Sequence, residues 1–264
     1  MSGYRSNQVH RFDLCGVALS DLDDGGRISG AQATAVGPDG LLYVVSEENG
    51  RILRYRADTL SFVDTWFDLS ENPSALGGIA RPVALVFGRE GSAYIGGFDS
   101  GRVARVSRDG TVDRVYDLAG RGLRGLDAGM TFHPDGRLLV PAYTSGAIYA
   151  VDVTTGDISR FAENIEGLSE PRVIVFDADR QQLWVSNEGS GLVLGLGLDG
   201  QPTGVSIPLP SATGLALDNG DLLATNDRNN TVVRYSASGE VKEVVVSPGG
   251  AVQGAVFLTV LASP

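Results

Sequence analysis

The sequence of 264 residues contains very little cysteine, lysine and histidine. There is one cysteine, Cys15, one lysine, Lys242, and two histidines, His10 and His133. A single cysteine excludes an intrachain disulfide and a zinc site built from several cysteines. Lys242 lies in the segment EVKEVVV, which we interpret as an outer strand, so no Schiff-base chemistry is expected from it. Proton transfer at a binding site would therefore come from carboxylates or tyrosine.

Long apolar runs and several well-known motifs are also missing. The sequence has no run of 18 apolar residues and no apolar N-terminal core. We therefore expect no membrane span and no secretory signal, and we expect a cytoplasmic protein. The net charge of −11 disfavours nucleic acid and anionic membranes as partners. The absence of G-x-x-x-x-G-K-[ST] and G-x-S-x-G excludes a P-loop and a hydrolase nucleophile elbow. Helical periodicity is nearly absent, which favours an all-β fold.

Glycine is abundant, with 36 residues against 11 prolines, and this balance indicates many tight turns rather than disorder. Five segments share a pattern of apolar strand, tight turn, apolar strand, polar loop, alternating strand and second turn. The segments are 35–59, 86–110, 131–156, 175–200 and 216–239. Their first turns begin 41 to 51 residues apart, at Gly37, Gly88, His133, Asp177 and Asp218.

This period is typical of a four-stranded propeller blade, and the chain has room for about six such units. We predict one domain spanning residues 1–264, an all-β, six-bladed β-propeller whose ring is closed by strands from both termini. The sixth blade is split between residues 1–25 and 251–264. In this interpretation residues 251–264 supply two inner strands and residues 6–23 supply the third and fourth. A β-sandwich with a similar number of strands is the alternative fold.

Propellers bind ligands where loops from several blades converge at one mouth of the axial channel. With the strands of a blade named A to D from the axis outward, this mouth is formed by the B–C and D–A loops. We predict acid–base roles there for Glu47, Asp127, Tyr143, Glu188 and Asp227. We predict substrate-binding roles for Gln32, Arg81, Arg172, Asn187, Thr213, Asn226 and Gln253. A solvated polar rim without function is the alternative for each loop residue.

Arg172 is the most informative of these residues, because it begins an otherwise apolar inner strand, EPRVIVF. A buried guanidinium requires an anionic partner. Either Arg172 forms a structural salt bridge with Glu170, Glu188 or Asp127, or it holds a carboxylate, phosphate or enolate of a substrate. A carboxylate beside apolar strand starts would have a raised pKa suited to an acid or base.

The repeated units resemble the NHL and SMP-30/gluconolactonase group of propellers, which includes streptogramin-lyase-like and strictosidine-synthase-like proteins. The segments GLLYVVSEENGRILRY and DLLATNDRNNTVVRY carry the resemblance. It implies a six-bladed propeller, but the group contains metal-dependent lactonases, lyases, condensation enzymes and interaction modules. The positions that match the lactonase metal ligands hold no carboxylate; they are Gln32, Val83, Ala128, Arg172, Thr213 and Gln253. The lyase-like members are expected to use a histidine on the active face, and neither His10 nor His133 is predicted there.

The leading hypothesis is an enzyme that acts on a small organic molecule at the channel mouth by acid–base chemistry. It would be a lyase, cyclase or isomerase, in biosynthesis or another specialised pathway, with no cofactor and no metal-ligating residue predicted. One alternative is a lactonase or hydrolase of the SMP-30 type that depends on Ca²⁺ or Mg²⁺. A second alternative is a non-catalytic, NHL-like interaction scaffold. The sequence predicts no oligomeric state.

Overall fold

The repeated apolar segments form short strands, because alternating side chains can pack on both neighbouring sheets while glycine and asparagine reverse the chain between them. The structure is a computed structural model that describes residues 1–22 and 25–261. Apart from a 3₁₀ turn at Ala119–Arg121, the described regular elements are strands. The described residues contain no helix with the length and hydropathy that a membrane crossing requires.

Two short strands begin the chain, β1 (Ser2–Gly3) and β2 (Gln8–Val9). The first blade contains β3 (Ala31–Val36), β4 (Leu41–Ser46), β5 (Arg51–Arg56) and β6 (Phe62–Asp68). The second contains β7 (Pro82–Phe87), β8 (Ala93–Gly97), β9 (Arg102–Val106) and β10 (Val112–Asp117). The third contains β11 (Thr131–Phe132), β12 (Leu138–Ala142), β13 (Ala147–Val151) and β14 (Ile158–Ala162).

The fourth blade contains β15 (Pro171–Asp177), β16 (Gln182–Asn187), β17 (Leu192–Gly197) and β18 (Pro202–Pro208). The fifth contains β19 (Ala212–Asp218), β20 (Asp221–Asn226), β21 (Thr231–Tyr235) and β22 (Val241–Val246). The last strand is β23 (Ala255–Phe257). In each of these five sheets the four strands are antiparallel and follow one another in chain order.

The sixth sheet joins the two ends of the chain in the order β2–β1–β23. Ser2 pairs with Val9 on one side and with Phe257 on the other. Strand β23 also contacts the inner strands β19 and β3 of the fifth and first blades. Strands from both termini therefore close the ring, which confirms the predicted closure and leaves no inner sheet edge open.

The order of strands within the sixth blade differs from the prediction. The C-terminal segment supplies one inner strand instead of two, and the second strand is β1, which lies outside the segment 6–23. Strand β2 is the third strand, as predicted for residues 6–23. The stretch from Ala255 to Leu261 contains no glycine, asparagine or aspartate that would reverse the chain, so it continues in one direction. Of the segments assigned to this blade, residues 23–24 and 262–264 lie outside the described residues.

The core lies between adjacent blades, where the second and third strands are almost entirely buried. Trp184 in β16 and Tyr94 in β8 are among the largest fully buried side chains. The fourth strand of a blade alternates in exposure, as β6 and β10 do, because one of its faces packs inward and the other meets solvent. This packing makes the ring a rigid support for the loops at its mouth.

Two blades pack closely around the axis at Gly129, just before β11. Its N–H donates to the carbonyl of Arg172 at 3.0 Å, and its own carbonyl accepts the N–H of Ile174 at 3.0 Å. A Cβ at this position would lie 2.3 Å from Val173 Cα, inside the backbone of the next blade. Gly129 therefore allows the third and fourth blades to meet directly at the mouth.

Candidate functional site

The first group of side chains at the mouth surrounds a buried carboxylate. Glu47 follows β4 in the loop to β5, and its side chain is only 4% exposed. Gln32 in β3 donates from Nε2 to Glu47 Oε2 at 2.7 Å, and Arg81, just before β7, donates to Glu47 Oε1. Arg81 also donates to Asp99 Oδ2 at 3.2 Å. We call these four residues the Glu47 cluster.

Burial raises the pKa of Glu47 above its ordinary value of 4.5. Hydrogen bonds from Gln32 and Arg81 oppose this rise, and the nearby carboxylate of Asp127 adds to it. Desolvation affects the pKa of Glu47 more than the charge of Arg81 does, because that arginine is partly exposed and is also paired with Asp99. Glu47 is therefore a carboxyl group able to hold or release a proton closer to neutral pH than an exposed glutamate.

The raised pKa predicts how a Glu47→Gln variant depends on pH. A carboxyl whose pKa is higher in the folded than in the unfolded protein destabilises the fold as pH rises above 4.5, because ionisation is costlier in the folded state. Glutamine cannot ionise, so the free energy of unfolding of the variant, relative to that of the wild type, should increase as the pH rises from 4.5 to 8. Urea denaturation across this range measures the difference. A wild type whose free energy of unfolding increases with pH relative to that of the variant would contradict the raised pKa of Glu47.

The second group surrounds a buried arginine. Arg172 in β15 donates from Nε to Asp127 Oδ2 at 3.1 Å and from Nη1 to Glu188 Oε2 at 2.9 Å. The side chains of Arg172, Asp127 and Glu188 are 14%, 3% and 25% exposed. Burial lowers the pKa of Arg172, but the charges of Asp127 and Glu188 outweigh this and raise it. Arg172 thus forms structural salt bridges with Asp127 and Glu188, one of the two alternatives predicted for it.

We call the three residues of this second group the Arg172 cluster. An aromatic wall lies beside it. Tyr143 follows β12, and its ring centroid lies 5.7 Å from the guanidinium carbon of Arg172 and 6.2 Å from the ring of Phe98. Burial raises the pKa of Tyr143, and the charges of Glu188 and Glu170 raise it further. Its hydroxyl therefore stays protonated at neutral pH and is suited to donate a hydrogen bond rather than to act as a base.

Three other predicted residues have contacts that shape the mouth. Thr213 is fully buried and donates to the carbonyl of Ala255 at 2.6 Å, linking the fifth and sixth blades. Asn226 Oδ1 accepts the N–H of Arg228 at 2.9 Å and so fixes its own loop. The amide of Asn187 is fully buried, and its Nδ2 donates to a carbonyl of its own strand.

The remaining two predicted residues lie at the rim, near the sixth blade. Asp227 accepts two hydrogen bonds from Arg5, at 3.0 and 3.1 Å. Gln253 is exposed, and its carbonyl accepts the N–H groups of Arg5 and Ser6. Neither Asp227 nor Gln253 belongs to the Glu47 or Arg172 cluster.

Two residues at the mouth, Phe98 and Arg5, were not predicted from the sequence. Phe98 occupies the loop after β8, the same loop position that Tyr143 occupies after β12, so an aromatic residue at that position was a usable signal. Arg5 could be found only with the correct strand order of the sixth blade, which places it in the loop between β1 and β2.

Oxygen ligands for a divalent cation are limited at the mouth. Within residues 1–22 and 25–261, no three carboxylate, histidine or cysteine side chains are grouped as metal ligands. Two buried amide oxygens, Gln32 Oε1 and Asn187 Oδ1, accept no hydrogen bond. Amide oxygens are ligands that Ca²⁺ accepts, and Gln32 is bonded to Glu47, so these two residues would be the ligands of a cation in the Glu47 cluster.

No family model and no curated protein matches the sequence. Solved structures do match. The virginiamycin B lyase from Staphylococcus aureus aligns with a TM-score of 0.69 at 19% identity, and the match covers 94% of this chain and 80% of that chain. A streptogramin B lyase structure gives a TM-score of 0.67 at 17% identity, with coverage of 85% and 71%. A structure of the nidogen/laminin complex gives 0.76 at 16% identity, with coverage of 94% and 92%.

These structures belong to enzymes and to a protein–protein complex, so their likeness to this chain concerns architecture and not activity. Their agreement over most of the chain, together with the six sheets and their closure through both termini, establishes the chain as a six-bladed β-propeller.

Proposed function

We propose that the protein is an enzyme that acts on a small organic molecule at the channel mouth by acid–base chemistry, with Glu47 as the group that transfers the proton. The observation that carries this proposal is the buried carboxyl of Glu47, whose pKa is raised and whose two oxygens are held by Gln32 and Arg81. A carboxyl poised closer to neutral pH can accept a proton from one carbon or oxygen of a substrate and return it to another. Lyases, cyclases and isomerases share this requirement.

The Arg172 cluster would assist this chemistry by position, and the tyrosine beside it would assist by hydrogen bonding. Tyr143 keeps its proton and would donate a hydrogen bond to a developing oxyanion. Arg172 already bonds Asp127 and Glu188, so a substrate anion would have to displace one of them. We therefore give Arg172 the role of holding these two carboxylates and the ring of Tyr143 in place.

Charge at the two clusters suggests the class of substrate. Together they contain four carboxylates, from Glu47, Asp99, Asp127 and Glu188, but only two guanidinium groups. The excess of negative charge favours a neutral or cationic molecule over an anion.

The lyase structures support a small-molecule substrate but suggest a different proton-transfer group. One structure is a catalytically inactive virginiamycin B lyase in which a histidine is replaced by alanine, determined with quinupristin. In the present chain His133 lies in the turn between β11 and β12, and neither His133 nor His10 belongs to the two clusters. A carboxylate in place of a histidine is the difference that we propose.

The proposal is tested by looking for turnover. The purified protein is incubated with neutral and cationic esters, lactones and cyclic depsipeptides, with quinupristin among them, and the products are separated by liquid chromatography and weighed by mass spectrometry. We expect at least one compound to give a new product with unchanged total mass, as elimination or isomerisation requires. If no compound reacts and none raises the melting temperature of the protein, the mouth is not a small-molecule site.

The same assay tests the metal-dependent hydrolase. The unpaired oxygens of Gln32 and Asn187 favour this second candidate. Turnover that EDTA abolishes and Ca²⁺ or Mg²⁺ restores, with products heavier by one water, would support it. Turnover that EDTA leaves unchanged would exclude it.

A further inference from the structure

Three polar side chains of the sixth blade form a hydrogen-bonded chain away from the two clusters. Ser6 Oγ lies 2.9 Å from His10 Nε2, and His10 Nδ1 lies 3.1 Å from Asp21 Oδ2. Ser6 is in the turn between β1 and β2, and His10 directly follows β2. Asp21 lies on the segment that runs back beside β2, where the N–H of Leu22 donates to the carbonyl of Val9 at 3.2 Å.

The chemistry of the three groups fixes the direction of these hydrogen bonds. An ionised Asp21 can only accept, so Nδ1 of His10 carries the hydrogen. Burial lowers the pKa of His10, against the opposing effect of Asp21, so the ring is neutral at pH 7. Nε2 is then an acceptor, and the hydroxyl of Ser6 donates to it in preference to the carbonyl of Gly3, which is farther away at 3.2 Å.

Glycine at position 3 allows this close arrangement. A Cβ on Gly3 would lie 2.2 Å from Ser6 Oγ and 3.1 Å from His10 Cδ2, so any other residue would displace the hydroxyl or the ring. The side chain of His10 is 4% exposed, whereas that of Asp21 is 40% exposed. The imidazole is thus held firmly between a hydroxyl and a carboxylate.

We propose that Ser6, His10 and Asp21 form a nucleophilic triad in which Ser6 Oγ reacts with activated acyl and phosphonyl compounds. This arrangement is the one in which a serine attacks, a histidine takes its proton and an aspartate orients the histidine. With a fluorophosphonate, Oγ forms a bond to phosphorus, the phosphorus–fluorine bond breaks and fluoride leaves. The hydroxyl proton moves to Nε2 of His10, where Asp21 stabilises the imidazolium.

The turn around Ser6 limits the reaction to formation of the adduct. The N–H groups of Arg5 and Ser6 both donate to the carbonyl of Gln253, and those of Tyr4 and Asn7 donate to the carbonyls of Gly254 and Tyr4. This described turn therefore presents no free pair of N–H groups to an oxyanion, which rapid turnover would require. The triad is independent of the function proposed for the Glu47 cluster.

The test is covalent labelling of the full chain with a biotin-linked fluorophosphonate, followed by peptide mapping. We expect the label on Ser6 and its loss in Ser6→Ala. Because general-base assistance contributes about 10²–10⁴-fold, Asp21→Asn should slow labelling by about 10-fold or more. Ser70 is the matched control, since its hydroxyl donates to Asp68 Oδ1 at 2.5 Å without a histidine, and it should remain unlabelled.

Two results would overturn the proposal. One is the absence of label on Ser6 under conditions that label a known serine hydrolase. The other is labelling of Ser6 at the same rate in the wild type and in Asp21→Asn, which would make the two hydrogen bonds of His10 purely structural. Asp21 is used rather than His10 because its side chain is partly exposed, and an unchanged melting temperature verifies that the variant is folded.

Discussion

Replacing Arg172 with alanine is expected to lower the free energy of unfolding by about 3–5 kcal/mol, the usual cost of removing one partner from a buried ion pair. The change leaves Asp127, which is 3% exposed, and Glu188 without a positive partner beside each other. Asp127 is then a buried carboxylate with no cation bonded to it, and it repels Glu188 where one guanidinium had bonded both. Chemical denaturation at pH 7 measures the loss.

Arg5→Ala is the matched control for this prediction. Arg5 also bonds a carboxylate with two hydrogen bonds, that of Asp227, but its side chain is 53% exposed. An exposed pair of this kind contributes about 0–1 kcal/mol, so Arg5→Ala should cost far less than Arg172→Ala. Equal losses in the two variants would show that burial does not govern the Arg172 cluster.

Gly129→Ala is expected to lower the free energy of unfolding by about 2–3 kcal/mol, because a methyl group there overpacks the inner ring. The new Cβ would lie 2.3 Å from Val173 Cα, a backbone atom that cannot rotate away. Relief requires the third and fourth blades to separate, which moves Asp127 on one side of the contact and Arg172 on the other. Denaturation reports the loss of stability.

Gly250→Ala is the control for Gly129→Ala. A Cβ at Gly250 meets no atom within 4 Å, and neither glycine has a positive φ that would itself resist substitution. Gly250→Ala should therefore leave the free energy of unfolding within about 0.5 kcal/mol of the wild type. If Gly129→Ala left the free energy of unfolding unchanged, the third and fourth blades could not be packed as tightly as described at Gly129.

The fold could be predicted from the sequence because each blade repeats the same local rules. Alternating apolar residues and turn glycines recur in five units, and the turns that contain Gly40 and Gly136 form hairpins with positive φ, as a repeated P-D-G turn requires. The sixth blade could be predicted only in outline. Its strands come from separate ends of the chain, and the local pattern of Ser2–Gly3 is too short to set its place in the sheet.

Part of the site could also be predicted. The positions of Glu47, Arg81 and Gln32 followed from their places at strand ends, because every blade sends those ends to the same mouth. Which side chains pair could not be predicted, since partners such as Asp127 and Arg172 are 45 residues apart and meet only through the ring.

The Ser6 triad could not be predicted for a related reason. It depends on the strand order of the sixth blade, which brings Ser6 and Asp21 to the two nitrogens of one imidazole. Hydrogen bonds between neighbouring blades, and those at the joined ends of the chain, are therefore the information that a single sequence does not contain.

The most direct test of the proposed function is the turnover rate of Glu47→Gln, measured on a compound that the wild type converts. Loss of a general acid or base costs about 10²–10⁴-fold, so we expect kcat to fall by about 100-fold or more while the protein stays folded. Glu163→Gln makes the same chemical change at an exposed salt bridge to Arg160, and its kcat should match the wild type. A Glu47→Gln variant as active as the wild type would contradict the assignment of proton transfer to Glu47.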